Sequence, residues 1–495
     1  MKEQTPAFIK LAKHFNEQKP FLEGLSYDDV IIQPGYSEIQ TLDQINTNTE
    51  LVRGISLTIP IVSANMTSVT EHPMAEFMAR VGGIGIIHRA MSIEEEANQV
   101  RTVKNAITHV VEHPPILSPN ATLAEARETM EQLRRGFILI CEDNDLKGIL
   151  TNRDVHQIMP PETIISDCMT KRDKMIIAPP ETSLQEAGKI MYENRIEKLP
   201  LVDGQGNVGG VITNYDLEKI AESPEATTDE KGRLRVGAAV GIHDEAIERA
   251  QELINAGVDV IVVDVLHGDS KRVMEIVEKV SQLSTNVPVI AGNVATPEAT
   301  ERLADAGAKG VKVGYGPGAM CTTQKTTGTG SSQFSAVVRC AAEARKHDVT
   351  IIADGGIKQG GDLAKALAGG ADTGMIGTAL AGTEQSPGEL IIDNTTGDMF
   401  KISDGMATKK IQEKLAAVRG NKPKNRVPQG ISTRVAYEGS AKRIIDNSVN
   451  GLKSGIANTG ATNIKEFQKK VVFERQTPAA SNEGAPHVLR STKNR

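Results

Sequence analysis

The chain has no tryptophan, and aromatic residues make up only 3% of it. Stacking platforms for single-stranded nucleic acid and aromatic-lined carbohydrate clefts are therefore not expected. An excess of positive charge is missing too: 56 lysines and arginines stand against 63 acids, a formal net charge of −7. A nucleic-acid or anionic-membrane partner does not fit that balance. Small anions still do, because glycine loops and helix N-termini hold them whatever the net charge. No apolar run reaches the ~18 residues of a membrane span, and the N-terminus, MKEQTPAFIKLAKHFNEQKP, lacks an apolar signal core. Cysteine is scarce. Cys141, Cys168, Cys321 and Cys340 form no CxxC pair and no zinc spacing, so a disulfide framework is not expected and a reducing cytoplasm is.

What the chain does have is length and rhythm. At 495 residues it has room for roughly three domains, fewer if one is a barrel. From about residue 234 onward, short β-branched runs recur: VGAAVGI (236–242), VDVIVVDVLHGD (258–269), VPVIAGNVAT (287–296), GVKVGYG (310–316), VTIIADGGI (349–357) and TGMIGTALAG (373–382). Helical patterns such as HDEAIERAQELINAG (243–257) lie between them. Continuous apolar strands alternating with amphipathic helices indicate a buried parallel sheet. With an N-terminal pair, LTIPIVSANM (57–66) and VGGIGIIHR (81–89), the units number eight. That count predicts an α/β fold of the closed (β/α)8 TIM-barrel kind, with its site at the C-terminal strand ends. An open doubly wound sheet is the competing arrangement.

Between the two barrel pieces lies an internal repeat. ILSPNATLAEARETM (116–130) parallels IIAPPETSLQEAGKIM (176–191), and GILTNRD (148–154) parallels GVITNYD (210–216). Two copies of one small module, each read as β–helix–strand–strand–helix, are expected. The pattern resembles a tandem pair of CBS domains. That resemblance implies an adenine or guanine nucleotide effector near Thr151, Asp154, Thr213 and Asp216. A purely structural or oligomerising insert is the alternative. The expected division is 1–108 for the first barrel part, 109–166 and 167–226 for the two modules, and 227–495 for the rest, with a flap at about 400–435.

The stretch GYGPGAMCTTQKTTGTG (314–330) is too poor in apolar side chains to be a core element. Cys340, within FSAVVRCAAEA, reads as an inert buried thiol. Cys321 instead follows a strand end in a Gly/Thr loop, where barrel enzymes hold reactive groups. Backbone N–H groups and threonine hydroxyls there can stabilise a thiolate, so Cys321 reads as a nucleophile.

VKVGYGPGAMCTT resembles the catalytic loop of the IMP dehydrogenase/GMP reductase family. LSYDDVIIQP (25–34), SANMTSVTEH (63–72), DEKGRLRVGAAVG (229–241), ADGGI (353–357) and IGTALAGTEQSPGE (376–389) resemble the same family in the same order. The resemblance implies that Cys321 attacks C2 of a purine ribonucleotide, IMP or GMP, and that hydride passes between C2 and NAD or NADP. It implies that Thr323 positions the attacking water or the ammonia. Asp354, Gly356, Gly377 and Thr378 would contact ribose and phosphate, and Met66, Met406 and Gln429 the purine, a glutamine amide suiting a donor-and-acceptor edge. Asp264, Ser270 and Asn293 would face the cofactor. Carbonyls of Gly316, Gly318 and Cys321 would hold a monovalent cation, K+, with tail residues of a neighbour near Glu483. Turn glycines, a core Met66 and an Asp264 that caps the next helix are the simpler alternatives. Family members are tetramers, some joined into octamers, so a homotetramer or octamer is implied.

Three positions depart from the family. Ala319 stands where a phosphate-binding serine is usual. The flap sequence GMATKKIQEKLAAVRGNKPKNRVPQG (405–430) has Arg419 followed by Gly420 and no tyrosine, where dehydrogenases carry an Arg-Tyr pair that activates water. Lys409 occupies the place of the reductases' catalytic glutamate, and the nearest acid downstream is Glu413. GMP reductase is the expected activity, with IMP dehydrogenase as the alternative, since VTEHPMAEFMARVGGIGIIHRAMSIEEEA (69–97) has dehydrogenase character. A nucleotide-binding regulator without chemistry is the alternative of another class, and an intact Cys321 and Thr323 argue against it.

Overall fold

The apolar runs become eight parallel strands: β1 (Ile61–Ser63), β2 (Ile84–Ile87), β3 (Gly237–Val240), β4 (Val260–Asp264), β5 (Val289–Val294), β6 (Gly310–Val313), β7 (Thr350–Asp354) and β8 (Thr373–Ile376). The structure, a computed structural model, describes residues 5–17, 22–133, 135–155, 159–421 and 427–484. The strands pair in the order β3-β4-β5-β6-β7-β8-β1-β2, and β2 pairs with β3 to close the barrel. The expected (β/α)8 barrel is present; the open sheet is not. Helices follow the strands: α1 (His72–Arg80), α2 (Ile93–Ala106), α3 (Ala246–Asn255), α4 (Lys271–Ser281), α5 (Pro297–Asp305), α6 (Gln333–His347), α7 (Gly360–Ala368) and α8 (Ala441–Ala457).

A hairpin of Thr49–Val52 and Ile55–Leu57 plugs the N-terminal end of the barrel. Thr350, which starts β7, donates its hydroxyl to Leu51 O at 2.5 Å. Leu51, Val52, Ile55 and Leu57 join Ile84, Ile86, Val260, Val262, Ile290 and Ile352 in one buried core. Chemistry is thereby confined to the opposite mouth, where the strands end in Asp264 and Asp354. An N-terminal helix, Ala7–Glu17, buries Phe8, Ala12 and Phe15, and it packs against α6.

The chain forms two compact units, Met1–Ala106 with Glu225–Asp229 and Leu234–Arg495, and Ile107–Pro224 with Glu230–Arg233. In the smaller unit, the strands Phe137–Glu142 and Asp145–Thr151 form an antiparallel pair, as do Lys198–Val202 and Val208–Thr213. Phe137, Leu139 and Ile149 of one copy share a core with Val202 and Val211 of the other. The copies differ at their ends. The second closes with a helix, Asn214–Glu222, capped by Thr213 accepting from Asp216 N. In the first, residues 152–154 form a turn, with Thr151 O accepting from Asp154 N–H at 2.9 Å and from Val155 N–H at 3.2 Å. Residues 156–158 lie outside the described residues. Among the described residues, no helix is long and apolar enough to cross a membrane.

Candidate active site

β6 releases its chain at Val313 into the cysteine loop, and the first residue is fixed by space. A Cβ at Gly314 would stand 1.9 Å from Asp354 O, so only glycine lets the loop pass the end of β7. Replacing Gly314 by alanine is therefore expected to lower kcat/KM by about tenfold to hundredfold by displacing the loop. Steady-state kinetics with a thermal melt checks this. Farther along, Cys321 N–H donates to Gly318 O at 2.9 Å, so Gly318 and Cys321 close one tight turn, two residues after Gly316. The Cys321 thiol is half-buried and lies 3.0 Å from Thr323 Oγ1, whose residue is fully buried. Two of the other thiols are buried and inert: burial pushes Cys340 up to about 12 and Cys141 to about 11.

The flap meets this loop through backbone. Thr322 N–H donates to Gln429 O (3.0 Å) and Ile431 N–H to Met320 O (3.0 Å), and Cys321 bridges Gly430. Gly405 N–H donates to Ile431 O and Gln429 N–H to Ala407 O, both at 3.1 Å. Met406, Gln429 and Cys321 are thus brought together, although Met406 packs among Ala90, Ile411 and Leu415. The Gln429 Oε1 is a buried acceptor without a protein partner, free for a ligand donor. Lys409 and Glu413 do not join the site. They pair with each other at 3.8 Å on the exposed face of the helix Lys409–Val418. Arg419 donates from Nε to Leu415 O (2.7 Å) and lies 3.9 Å from Glu245. Lys422 to Arg426 of the flap sequence lie outside the described residues, as do 485–487 of the tail.

Opposite the flap, a buried cation joins two of the strand-end acids. Lys312, only 3% exposed, reaches Asp264 Oδ1 and Asp354 Oδ2, each at 2.7 Å. Asn293 donates from Nδ2 to Asp354 Oδ2 and to Gly314 O, both at 2.8 Å, and its Oδ1 is a buried acceptor without a protein partner. Burial raises the Asp264 carboxyl, but the Lys312 ammonium and its hydrogen bond overcome that and hold it below the usual carboxylate range. Burial likewise opposes the charge on Lys312, and the two carboxylates reverse that, holding the ammonium well above the usual lysine range. Asp264 is therefore held by Lys312 rather than spent capping a helix. Ser270 stands apart from this network as the N-cap of α4. Lys312 was not among the sequence candidates. Its signal was a single charge inside the apolar run GVKVG, at a parity that points into the barrel.

Gly355 and Gly356 follow Asp354 with φ of +104° and +80°, the left-handed region that favours glycine. Tyr27 lies beneath Gly356, 3.3 Å from where a Cβ would stand. At the end of β8, Gly377 precedes the short helix Thr378–Ala381, and a Cβ on it would lie 3.0 Å from Met66 Sδ. Met66 packs onto the barrel core, so it is both core edge and mouth lining. Ser68 and Ser403 hydroxyls, which the sequence did not single out, meet at 2.9 Å, and Ser403 also contacts Met320 Sδ at 3.6 Å.

The mouth of the closed barrel thus gathers a half-buried cysteine, a threonine, two fixed carboxylates and a lysine. The model of the IMP dehydrogenase / GMP reductase domain matches residues 24–487. The chain belongs to this family. It is an NAD(P)-dependent oxidoreductase of purine metabolism. IMP dehydrogenases from Halalkalibacterium halodurans and Aquifex aeolicus are each 44% identical, covering 96% of this chain and 98% of the relative. Among solved structures, a cysteine-to-alanine variant of GMP reductase from Trypanosoma brucei in complex with guanosine 5′-monophosphate is 38% identical, with a TM-score of 0.87 over 96% of this chain and 99% of that one. GMP reductase from the same organism with guanosine 5′-triphosphate is 36% identical, with a TM-score of 0.77 over 94% and 100%.

Proposed function

We propose that this member is a GMP reductase. The observation that carries the reading is the flap. Its segment 405–430 contains no tyrosine, and Arg419 is turned onto Leu415 O and Glu245. The general-base step that a dehydrogenase needs to hydrolyse its adduct, worth roughly 10²–10⁴ in rate, has no Arg-Tyr pair to supply it. A reductase needs no such water. The Cys321 thiolate adds to C2 of GMP, and the 2-amino group takes up a proton and leaves as ammonia, giving a nucleotide thioimidate. Hydride supplied to C2 by NADPH would then expel the sulfur as the C2–S bond breaks, leaving IMP, NADP+ and free Cys321. Thr323, 3.0 Å from the sulfur, is the group beside the departing amine. Asp354 with Gly356, Gly377 and Thr378 would hold ribose and phosphate, Met66, Met406 and Gln429 the purine, and Asp264, Asn293 and Ser270 the nicotinamide side. The unpartnered acceptors on Gln429 and Asn293 fit ligand N–H donors.

The relatives named IMP dehydrogenase at 44% identity favour a second reading, in which IMP, NAD+ and water give XMP and NADH. In that case K+ at the carbonyls of Gly316, Gly318 and Cys321 would accompany the reaction. For the smaller unit, the proposal is a CBS pair, 109–166 and 167–226, taking a guanine or adenine nucleotide. The support is the T. brucei GMP reductase solved with guanosine 5′-triphosphate. Here the Thr151 and Thr213 hydroxyls already bond Asp154 (2.7 Å) and Asp216 (2.5 Å), so a ligand would bind a preformed turn. A homotetramer or octamer is proposed with it. Nicotinamide absorbance decides the direction. Steady oxidation of NADPH with GMP, with ammonia released, supports the reductase; steady NADH formation from IMP overturns it.

A further inference from the structure

A cavity of about 480 Å³ opens next to the cysteine loop, and the proposed chemistry leaves it unexplained. One wall is the face of α6 that carries Ser332, Ser335 and Arg339. Arg339 is only 6% exposed. Its Nε donates to Ser335 O at 3.3 Å, and among the described residues no carboxylate forms an ion pair with it. The two acids in the wall are already held, Glu23 by Arg475 and Asp269 by Arg302. A buried guanidinium without a counterion facing a cavity calls for an anion.

The backbone adds to this. The N-termini of α5, capped by Thr296, and of α6, at Ser332, both line the cavity. Each brings the positive end of its helix dipole. The Ser332 hydroxyl makes no cap hydrogen bond of its own. A phosphate monoester suits this set: two helix ends, a free hydroxyl and a guanidinium that bonds two oxygens at once. The remaining wall identifies the carrier. His267 and Asp269 come from the loop that runs from Asp264, the last residue of β4, to Ser270, the N-cap of α4, and His267 packs on Tyr315 with ring centroids 5.5 Å apart. The cavity therefore continues the cofactor side of the mouth.

We propose that this cavity takes the 2′-phosphate of NADPH, and that Arg339 is the residue that separates the phosphorylated dinucleotide from NADH. The proposal rests on the reading of the β4–α4 loop as cofactor-facing. Calorimetric titration of the full chain with adenosine 2′,5′-bisphosphate, AMP and inorganic phosphate tests it directly. The bisphosphate is expected to bind at least tenfold tighter than AMP, and Arg339→Gln to erase that difference. Arg339→Lys, which keeps the charge and the fold, is expected to retain part of it. In turnover, the NADPH to NADH ratio of kcat/KM should fall about tenfold to hundredfold in Arg339→Gln, the range of one charged hydrogen bond. A wild type that binds bisphosphate and AMP alike, or an Arg339→Gln chain that still discriminates, overturns the proposal. Tight inorganic phosphate with no preference for the bisphosphate also overturns it, in favour of a free-anion site. Absence of turnover with GMP or IMP and either dinucleotide would defeat the proposed function, and the titration would still decide the cavity.

Discussion

Replacing Cys321 by alanine is expected to lower turnover by about 10⁴- to 10⁶-fold, the scale seen when a nucleophile is removed from a concerted set, while purine nucleotide still binds. The physical reason is that ribose, phosphate and purine contacts are proposed to come from other segments, the ends of β7 and β8 and the flap. Those segments do not depend on the sulfur for their geometry. Asp354 is fixed by Lys312 and Asn293, and the flap is fixed by backbone bonds to Met320 O and from Thr322 N. Turnover assays beside a nucleotide titration check it. A Cys321→Ala chain with turnover within tenfold of wild type would remove the covalent mechanism. Loss of nucleotide binding together with turnover would make the cysteine a structural residue.

Replacing Lys312 by methionine is the second large effect. Methionine keeps much of the side-chain volume and removes the charge, leaving Asp264 and Asp354, both half-buried at the mouth, without the buried Lys312 ammonium between them. Breaking a buried pair in this way costs about 3–5 kcal/mol. The pH dependence carries a distinct signature. In the wild type the Asp264 carboxyl is held below its ordinary value, so it contributes stability above the unfolded pKa, about 3.9. That contribution is lost as pH falls through the folded value. Without Lys312 burial prevails and the folded value rises above the unfolded one. The sign then reverses: the variant loses stability as pH rises. The gap in melting temperature between the two chains is therefore expected to be widest near neutrality and to narrow towards pH 4. A gap that stays constant with pH would show a packing defect instead of lost charge pairing. kcat/KM is expected to fall with stability, and Lys312→Arg, which keeps the charge, to recover part of both.

The barrel was legible because its strands are buried on both faces and read as unbroken β-branched runs, each closed by a helix pattern of different period. The two-copy insert was legible as repetition, and the second copy closes with the expected helix, Asn214–Glu222. Cys321 could be singled out because reactive and inert cysteines sit in opposite surroundings, a Gly/Thr loop against an apolar helix. Lys312 escaped because its meaning is not local. Nothing in GVKVG states that Asp264, 48 positions earlier, and Asp354, 42 positions later, end on strands whose tips meet it. The Arg339 cavity escaped for the same reason, since its walls come from segments spread from residue 22 to residue 339. The flap's sequence, in turn, gave no hint that Lys409 and Glu413 would pair on the outer face of a helix, because an i,i+4 pair reads the same on either face.

The most direct test of the covalent chemistry is mass spectrometry of acid-quenched enzyme during turnover, with GMP and NADPH in one sample and IMP and NAD+ in the other. A purine nucleotide bonded through sulfur is expected on the peptide that carries Cys321, with no adduct in Cys321→Ala. Turnover by the wild type with nucleotide attached to a different residue, or turnover by Cys321→Ala at the wild-type rate, would contradict it.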